Sequence, residues 1–463
     1  MVKVRFAPSP TGYLHLGGTR TALFDWLWAR HNKGKFILRL EDTDQARLVP
    51  EAVSQIKESL EWLGLKPDEV VTQSERLDIY KKQADDLLEK GALYLCWCSP
   101  KRLQKLREEA QKNKVAFKYD RYCLSHPQEP SEEHVLRFKI PESPKEVSWK
   151  DAVRGELSFK SEDLDDFVAI KSDGYPTYNF ANVVDDHLME ISHVIRAEEF
   201  LSSTPKHILL YQAFGWDVPT FAHLPQVLAP DGKSKLSKRH GANSTLEYRD
   251  EGYLADAIIN FLAQLGWNDG TEQEIYSRDE LIEKFSLERV QKSPAVFDIE
   301  RLKWMNGRYI RQMSNQDFLE ASTPFIKRAG IKVGDQKHLA EVLQLIHERV
   351  KFLAEVPELI DFFFQDVKID PKLLTAKSDQ KTAAEALKQG ITILENTNFT
   401  HNELEPAFRK LAENLNLKPG DLFYIYRVAM TGRTAAPGLF ETMLVLGKDG
   451  VRERFSGTLK LIS

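Results

Sequence analysis

Over the first 75 residues, the spacing of apolar side chains changes between the period of a strand and the period of a helix. Residues 2–7 predict a strand, which runs into a loop rich in proline and glycine, and residues 36–40 predict a second strand. Between them, residues 19–32 predict a helix with apolar side chains on one face. Strands joined by helices in this way indicate an α/β fold with a doubly wound parallel sheet, which binds ligands at the carboxyl ends of its strands.

The same pattern divides the rest of the chain into further regions. From residue 76 to 170 it breaks into helices, a stretch that contains cysteine and short strands such as 135–140, and α/β character returns at 175–214. We therefore interpret the middle block as an insertion between two halves of one sheet. Beyond residue 238 the chain is predicted to be mainly helical. The predicted regions are 1–75, 76–170, 171–240, 241–313 and 314–463.

Composition narrows the class of protein. The 463 residues are 42% hydrophobic and 29% charged, as expected of a globular enzyme with several domains. Three cysteines argue against a secreted disulfide framework, and no signal core or membrane-spanning run is evident, so we expect a cytoplasmic protein without a membrane partner. The formal net charge of −5 neither indicates nor excludes a nucleic-acid partner, which local basic patches would have to serve.

The loop after the first predicted strand is the first candidate for chemistry. The run His15-Leu-Gly-Gly18 places an imidazole and several backbone N–H groups just before the predicted helix. A helix N-terminus acts as a partial positive charge with unpaired donors, so this loop could cradle a phosphate. Alternatively, Gly17 and Gly18 only relieve steric crowding in the turn.

A second candidate lies far downstream, at Lys235-Leu-Ser-Lys-Arg239. It follows Asp231-Gly-Lys-Ser234, a turn-forming sequence, and is therefore predicted to lie on an exposed loop. Lys235 and Lys238, with the Ser237 hydroxyl between them, could neutralise a polyphosphate, although a basic loop is more often only solvated.

Together, the two loops resemble the His-Ile-Gly-His and Lys-Met-Ser-Lys-Ser signatures of class I aminoacyl-tRNA synthetases. Other stretches narrow this to the bacterial-type glutamyl-tRNA synthetases, and the resemblance spans nearly the whole chain. These stretches are Arg5-Phe-Ala-Pro-Ser-Pro-Thr-Gly12, Leu38-Arg-Leu-Glu-Asp-Thr-Asp44, Asp173-Gly-Tyr-Pro-Thr-Tyr-Asn-Phe-Ala-Asn-Val-Val-Asp-Asp186, Val194-Ile-Arg-Ala-Glu-Glu199, Phe297-Asp-Ile-Glu-Arg-Leu-Lys-Trp-Met-Asn-Gly307 and Thr431-Gly-Arg-Thr-Ala-Ala-Pro-Gly-Leu-Phe440. Both signatures deviate, because Gly18 stands in place of the second histidine, and Leu236 and Arg239 stand in place of Met and Ser.

The resemblance implies a fold and a reaction. The fold is a Rossmann-like parallel sheet with an inserted acceptor-stem-binding domain, then a stem-contact domain at 241–313 and an all-α anticodon-binding region at 314–463. In the reaction, L-glutamate attacks the α-phosphorus of ATP, which gives glutamyl-adenylate and pyrophosphate. The terminal ribose hydroxyl of tRNA(Glu) then takes the glutamyl group. Neither step needs a protein nucleophile, and we expect the enzyme to work as a monomer.

Glutamate carries two carboxylates and one ammonium, so its site needs two guanidinium groups and one carboxylate. Arg5, which closes the first strand, and Arg196, after the predicted strand at 191–195, could each grip a carboxylate through two parallel N–H bonds. Glu41, at the end of the second strand, could take the ammonium. The alternative is an ordinary strand-end ion pair of each arginine with Glu41 or Asp42. The resemblance implies a glutamate site made of Arg5, Ser9, Glu41, Tyr178, Asn182 and Arg196.

Further roles follow from the resemblance. The groups that act on the phosphates during catalysis are His15, Lys235 and Lys238. The ATP-binding residues are Ala7, Thr11, His15, Gly17, Ser237 and Lys238, with Mg²⁺ accompanying ATP. The tRNA-binding residues are Glu199, Arg349 and Arg427, of which the two arginines face anticodon bases. Alternatively, Glu199 contacts the adenosine or is only a surface carboxylate. For Asp185 and Asp186 we expect a helix-start or hinge role.

The cysteines form one cluster in the sequence. Cys96, Cys98 and Cys123 fall within twenty-eight positions, which favours a structural zinc site with three thiolates. Some relatives carry Tyr-x-x-x-Cys, which makes Tyr119 the fourth ligand, and others carry a later histidine, which here is His126. The alternative is three free thiols without a metal.

Other functions are weighed against the synthetase. A short paralogue that glutamylates a modified base of tRNA(Asp) lacks helical anticodon domains, whereas this chain continues well beyond residue 314. A small-molecule adenylyl- or cytidylyltransferase shares the phosphate cradle, but it does not need the 235–239 loop and a long helical region. A tRNA-binding relative without catalysis would not need Arg5 and Arg196. The sequence leaves open whether tRNA(Gln) is also charged.

Overall fold

The computed structural model describes residues 1–126, 134–234, 236 and 243–463. The chain forms two compact units. The first unit consists of Met1–Arg249 and Ala255–Leu302, and the second consists of Asp250–Leu254 and Lys303–Ser463. The finer division into five regions stays a prediction.

A parallel sheet lies at the centre of the first unit. Its strands are β1 (Lys3–Phe6), β2 (Lys35–Leu40), β3 (Glu69–Thr72), β9 (His193–Ala197) and β10 (Thr220–Leu224). β2 pairs in parallel with both β1 and β3, and β9 pairs in parallel with β10. Ser192 donates its backbone N–H to the Lys3 carbonyl oxygen over 2.9 Å, so β9 begins beside β1. The carboxyl ends of these strands therefore meet at one edge.

Helices connect these strands and cover the sheet. They are α1 (Leu16–His31), α2 (Pro50–Trp62), α3 (Leu77–Glu89), α4 (Pro100–Lys112), α5 (Tyr122–Ser125), α6 (Tyr178–Leu188), α7 (Thr204–Phe214), α8 (Thr245–Asp250), α9 (Ala255–Ala263) and α10 (Arg278–Lys284). β2 is buried along almost its whole length, as expected of a parallel strand that is covered on both faces.

Antiparallel strands occupy the stretch between the two halves of the sheet. β4 (Leu93–Cys96), β5 (Val135–Phe138) and β8 (Val168–Ile170) form one sheet, and β6 (Glu146–Asp151) pairs with β7 (Gly155–Lys160) as a hairpin. Apolar side chains of these strands share one hydrophobic core with α6 and α7. The insertion between two halves of a parallel sheet is thus confirmed. A short parallel pair, β11 (Val227–Leu228) and β12 (Ala295–Val296), follows later.

The second unit is built from helices around two apolar clusters. The helices are α11 (Ile299–Gln312), which begins in the first unit, α12 (Asn315–Arg328), α13 (Gln336–Ile346), α14 (Val356–Phe364), α15 (Pro371–Leu374), α16 (Gln380–Asn396), α17 (His401–Asn414), α18 (Pro419–Thr431) and α19 (Leu439–Ile462). Gly447, with φ of 77°, breaks the helical path inside α19, and only glycine adopts this backbone region readily. None of the helices in the described residues has the length and apolar character needed to cross a bilayer.

Three sequence-based expectations about these elements are wrong. α1 begins at Leu16 rather than at 19, because the His15 side chain caps it. β9 ends at Ala197 rather than at 195, so Arg196 lies inside the strand. Asp185 and Asp186 lie in the last turns of α6, not at a helix start or hinge, because buried partners on neighbouring elements hold them there.

Candidate active site

The N-terminus of α1 presents an exposed imidazole. His15 Nδ1 accepts hydrogen bonds from the backbone N–H groups of Gly17 (3.1 Å) and Gly18 (3.3 Å). A Cβ on Gly17 would lie 3.0 Å from His15 Cε1, and one on Gly18 would lie 2.8 Å from a Leu14 methyl. Gly17 therefore makes room for the ring at the positive end of the helix, and Gly18 makes room for the Leu14 side chain. Their N–H groups bind the ring itself, a detail that the predicted cradle did not contain.

The loop between β1 and α1 is tied to the end of β2. Glu41 donates its backbone N–H to the Pro8 carbonyl oxygen (3.0 Å). Thr11 donates its backbone N–H to the Ser9 carbonyl oxygen (2.8 Å). Ser9 and Thr11 are exposed, and Ala7 is partly buried. These three predicted ligand contacts therefore lie at the edge of the sheet where Glu41 follows β2.

Asp186 pairs with two buried arginines beneath this edge. Its Oδ1 lies 2.8 Å from Arg5 Nε and 2.7 Å from Arg39 Nη1. Burial alone disfavours the carboxylate, but the positive charges of Arg39 and Arg5 outweigh it and lower the pKa of Asp186. Asp186 is therefore ionised and neutralises part of the arginine charge. The alternative considered for Arg5, a strand-end ion pair with Glu41 or Asp42, is therefore not what forms: its ion-pair partner is this helix residue.

Glu41 and Asn182 lie beside the two arginines. Glu41 Oε1 accepts from Arg39 Nη2 (3.1 Å) and from Asn182 Nδ2 (3.0 Å), and Asn182 Oδ1 faces Arg5 Nη2 at 3.5 Å. Burial raises the pKa of Glu41, although Arg39 and Arg5 oppose it. A cation bound at Glu41 would relieve this burial penalty. Tyr178, Asn182 and Asp186 follow each other four residues apart, so they share one face of α6.

Asp185 faces a different set of partners. Its carboxylate accepts from Gln73 Nε2 (2.9 Å), Arg76 Nε (2.9 Å) and Tyr80 Oη (2.7 Å). These bonds join α6 to the start of α3. Its side chain is fully buried, and its contacts are those of a structural carboxylate.

Arg196 is buried among neutral acceptors. Its strongest contacts are to Thr204 Oγ1 (2.8 Å), Tyr178 Oη (3.0 Å) and His223 Nε2 (3.1 Å), and weaker ones reach His207 Nδ1 (3.3 Å) and the Phe200 carbonyl oxygen (3.4 Å). Within the described residues, no carboxylate lies at ion-pair distance from this guanidinium. An isolated buried cation is costly, so the site favours an anionic ligand.

Arg5, Glu41, Tyr178, Asn182 and Arg196 thus lie along one face of α6. Sequence reasoning missed four neighbours that this site depends on, namely Arg39, Thr204, His207 and His223. Arg39 carried a signal, because an arginine inside an apolar strand must find a buried partner. The other three stand in ordinary helix and strand positions, and nothing in their local sequence marks them.

The remaining predicted phosphate contacts fall outside the described residues. These are Lys235, Ser237 and Lys238. The turn before them is described: Asp231 Oδ1 accepts the backbone N–H groups of Lys233 and Ser234, both at 2.9 Å. The predicted turn is therefore confirmed. Glu199 is exposed in the 3₁₀ turn Glu198–Ser203, directly after β9.

The cysteines form one cluster in space. Their Sγ atoms all lie within 4.8 Å of each other, and Cys98 Sγ is 3.5 Å from Cys123 Sγ. Tyr119 Oη lies 3.4 Å from Cys96 Sγ and 3.2 Å from Cys98 Sγ. Tetrahedral zinc with Zn–S bonds of about 2.3 Å places sulfur ligands about 3.8 Å apart. These four donor atoms therefore fit a zinc ion.

His126 is engaged elsewhere. Its ring stacks on Tyr122 with centroids 4.1 Å apart, and its Nδ1 lies 3.2 Å from the Tyr122 carbonyl oxygen. The group of metal-ligand atoms in the described residues contains the three cysteines but not His126. The geometry thus favours Tyr119 as the fourth donor.

The two predicted anticodon contacts lie in the second unit. Arg349 is exposed after α13, and its Nη1 donates to the Ala436 carbonyl oxygen over 3.0 Å. Arg427 lies in the middle of α18, and its Nε is buried without a hydrogen-bond partner among the described residues. Both arginines thus lie in the helical unit, Arg349 exposed in the turn after α13 and Arg427 half-buried in α18.

Comparison with protein families assigns the chain. Residues 1–304 match the family described as "tRNA synthetases class I (E and Q), catalytic domain", and residues 317–459 match "Anticodon binding domain". The chain belongs to the class I tRNA synthetases. Members of this family use ATP and Mg²⁺. The resemblance read from the motifs and the expected fold class are both confirmed.

Individual relatives agree with this family. The chain is 48% identical to a glutamate–tRNA ligase of Dehalococcoides mccartyi, over 97% of this chain and 95% of the relative. It is 43% identical to one of Moorella thermoacetica, over 100% and 98%. A glutamate tRNA ligase from Elizabethkingia meningosepticum, crystallised in complex with its amino acid, superimposes with a TM-score of 0.89 at 36% identity, covering 100% of both chains.

Proposed function

We propose that this chain attaches glutamate to tRNA(Glu), with ATP as co-substrate and glutamyl-adenylate as intermediate. The observation that carries the proposal is the charge arrangement around α6. Arg196 is buried among neutral acceptors, and Glu41 lies nearby with a pKa that burial raises. A ligand with carboxylates and an ammonium supplies the missing counter-charges.

Arg5 and Arg196 differ as carboxylate receptors. Arg5 already pairs with Asp186, whereas Arg196 has only neutral partners in the described residues. A charged side-chain carboxylate therefore gains most at Arg196, and a neutral amide gains least. We expect glutamine to lose about 1–3 kcal/mol of binding free energy for this reason. Ser9, Tyr178 and Asn182 complete the proposed glutamate site with neutral hydrogen bonds.

The ATP phosphates are proposed to bind at the N-terminus of α1. His15 is fixed there by Gly17 and Gly18, and Ala7 and Thr11 lie on the adjoining loop. On the basis of the family resemblance, Lys235 and Lys238 are proposed to stabilise the departing pyrophosphate, and Ser237 is proposed to contact ATP. Mg²⁺ supplies charge neutralisation to the phosphates when ATP is bound. Catalysis then rests on position and charge rather than on a protein nucleophile.

The partner tRNA is proposed to contact both units. Glu199 lies next to the carboxyl edge of the sheet, where we propose that the acceptor end of the tRNA binds. Arg349 and Arg427 are proposed to contact anticodon bases, which guanidinium planes recognise by stacking and hydrogen bonds. We further propose that the enzyme works as a monomer in the cytoplasm, and that Cys96, Cys98, Tyr119 and Cys123 hold a structural zinc ion.

The test is acylation of purified tRNA isoacceptors with labelled glutamate, glutamine and aspartate. We expect tRNA(Glu) to be charged with glutamate, and pyrophosphate exchange to require tRNA. The variant Arg196→Gln should raise the KM for glutamate, whereas Arg301→Gln, a half-exposed arginine of the same unit, serves as the matched control.

Each contrary outcome points to a specific alternative. Pyrophosphate exchange in the absence of tRNA, together with transfer of glutamate to tRNA(Asp), would support the short paralogue. Pyrophosphate exchange that depends on another small molecule in place of glutamate would support a nucleotidyltransferase. Binding of tRNA without any exchange would support a relative without catalytic activity.

A further inference from the structure

The orientation of Arg196 depends on which atoms accept its N–H groups. A guanidinium has five N–H donors in a fixed plane and no acceptor. Among the described residues, its Nε donates to His223 Nε2 (3.1 Å), and one Nη2 proton points to Thr204 Oγ1 (2.8 Å). These two bonds fix the edge of the guanidinium that carries Nε and Nη2, whereas Nη1 faces Tyr178. The imidazole of His223 must therefore present an unprotonated Nε2.

His223 is bound on its other side by a buried carboxylate. Asp151 Oδ2 lies 2.5 Å from His223 Nδ1, and both side chains are fully buried. Asp151 Oδ1 accepts the backbone N–H groups of Val153 (3.0 Å), Arg154 (2.9 Å) and His223 (3.1 Å). Burial opposes ionisation, but the hydrogen bond from His223 and the backbone bonds outweigh it and lower the pKa of Asp151. The carboxylate is thus ionised and acts only as an acceptor.

These donors and acceptors permit one tautomer of His223. The carboxylate of Asp151 only accepts, so Nδ1 carries the proton. Arg196 only donates, so Nε2 must be free of a proton. The Thr204 hydroxyl, 3.1 Å from Nε2, can itself donate to this nitrogen and therefore does not require a proton there. Burial lowers the pKa of His223 and outweighs the effect of Asp151, which keeps the ring neutral. The result is a directed series of hydrogen bonds from Arg196 through His223 to Asp151.

We propose that Asp151 and His223 are positioning residues that set Arg196 to receive a carboxylate of the amino-acid substrate. Neither touches the substrate; each acts through Arg196. The proposal rests on the proposed function, because it assigns Arg196 to glutamate recognition. The His223–Asp151 pair holds the guanidinium in place without a direct ion pair, so its positive charge remains available to a ligand.

The series also ties the amino-acid site to the insertion. Asp151 is the last residue of β6, and the next residue, Ala152, donates its backbone N–H to the Phe221 carbonyl oxygen in β10 (2.8 Å). Arg154, in the same hairpin turn, forms an ion pair with Glu198 directly after β9. The hairpin β6–β7 therefore contributes to the site although it does not belong to the parallel sheet.

The test is the isosteric variant Asp151→Asn. The amide oxygen can keep the backbone bonds, but its NH₂ group would face His223 Nδ1 and favour a proton on Nε2. That proton would oppose Arg196 Nε–H. We expect the KM for glutamate to rise about tenfold or more, with a smaller change in kcat and an unchanged KM for ATP. The ¹⁵N resonances of the His223 ring should report the change of tautomer, which a merely structural role would not produce.

Variants of His223 provide a second test, which remains decisive if Asp151→Asn folds poorly. In His223→Gln, a side-chain carbonyl can accept from Arg196 without any tautomer to set, so the KM for glutamate should stay near that of the parent. In His223→Leu it should rise as in Asp151→Asn. Adding Asp151→Asn to His223→Gln should then have little further effect.

The matched control is Asp166→Asn, another buried carboxylate of the insertion, which binds Tyr94 and Arg121 instead. Its KM for glutamate should match the parent value. If the parent enzyme does not charge glutamate, the proposed function itself fails. If the parent charges glutamate, but Asp151→Asn and His223→Leu leave its KM unchanged, or if Asp166→Asn raises it equally, the positioning role is wrong.

Discussion

At the scale of single residues, the two arginines of the site show how similar sequence positions acquire different electrostatic roles. Arg5 and Arg196 both lie near the carboxyl end of a parallel strand. Arg5 shares the charge of Asp186 with Arg39, whereas Arg196 is surrounded by neutral acceptors. The first arrangement holds the fold together. The second leaves a positive charge that is available to a ligand.

Asp186 provides a stability test at this scale. The variant Asp186→Asn removes the negative charge that Arg5 and Arg39 share while both guanidinium groups remain buried. We expect a loss of about 3–5 kcal/mol in the free energy of unfolding, measured by urea denaturation. The control is Glu190→Gln, which removes an exposed ion pair to Lys3 and should cost about 1 kcal/mol or less. Equal losses in both variants would contradict the buried network.

At the scale of elements, α6 organises the proposed amino-acid site. Tyr178, Asn182 and Asp186 lie on one helical face, and each contacts an arginine at the carboxyl edge of the sheet. The stretch 173–186 that contains them resembles the synthetase family, but this resemblance did not reveal the roles of Asp185 and Asp186. A pair of adjacent aspartates suggested a helix start, because acidic side chains are common there. Buried arginines on β1 and β2 explain why Asp186 lies near the end of α6, and Gln73, Arg76 and Tyr80 hold Asp185 beside it.

The N-terminus of α1 yields a second prediction. In Gly17→Ala, the new Cβ would lie 3.0 Å from His15 Cε1, so the imidazole must shift. We expect the KM for ATP to rise about tenfold, while thermal unfolding changes little because alanine suits a helix at least as well as glycine. The variant His15→Ala should show a similar loss, and the double variant should add little. Gly334→Ala, where a Cβ meets nothing within 4 Å, is the control.

The cysteine cluster yields the third prediction. We expect the purified chain to contain about one zinc ion per molecule by plasma mass spectrometry, because four donor atoms converge there. Cys98→Ser should lose the metal, and His126→Ala should keep it, since the His126 ring stacks on Tyr122 instead. Tyr119→Phe should release zinc faster to a chelator. Loss of zinc in His126→Ala with retention in Tyr119→Phe would reverse the assignment of the fourth ligand.

At the scale of the whole molecule, distant segments of the chain are brought to one site. Asp151 of the insertion, His223 of β10 and Arg196 of β9 form one series of hydrogen bonds. The insertion is thus more than an appended domain, since its hairpin reaches Arg196 of the proposed amino-acid site through His223. The second unit is helical throughout its described elements and carries Arg349 and Arg427. An enzyme that joins an amino acid to a long RNA can use separate units for these two tasks.

The sequence by itself determined the family, the order of strands and helices, and the candidates Arg5, Glu41, Arg196 and His15. Apolar spacing and short motifs are local properties, so they can be read before the chain folds. Only the tertiary structure decided which groups these residues meet. Arg5 and Asp186 lie 181 positions apart, and Asp151 and His223 lie 72 positions apart. Such pairs depend on how buried elements pack, because burial is what forces each charge and each ring nitrogen to find a partner.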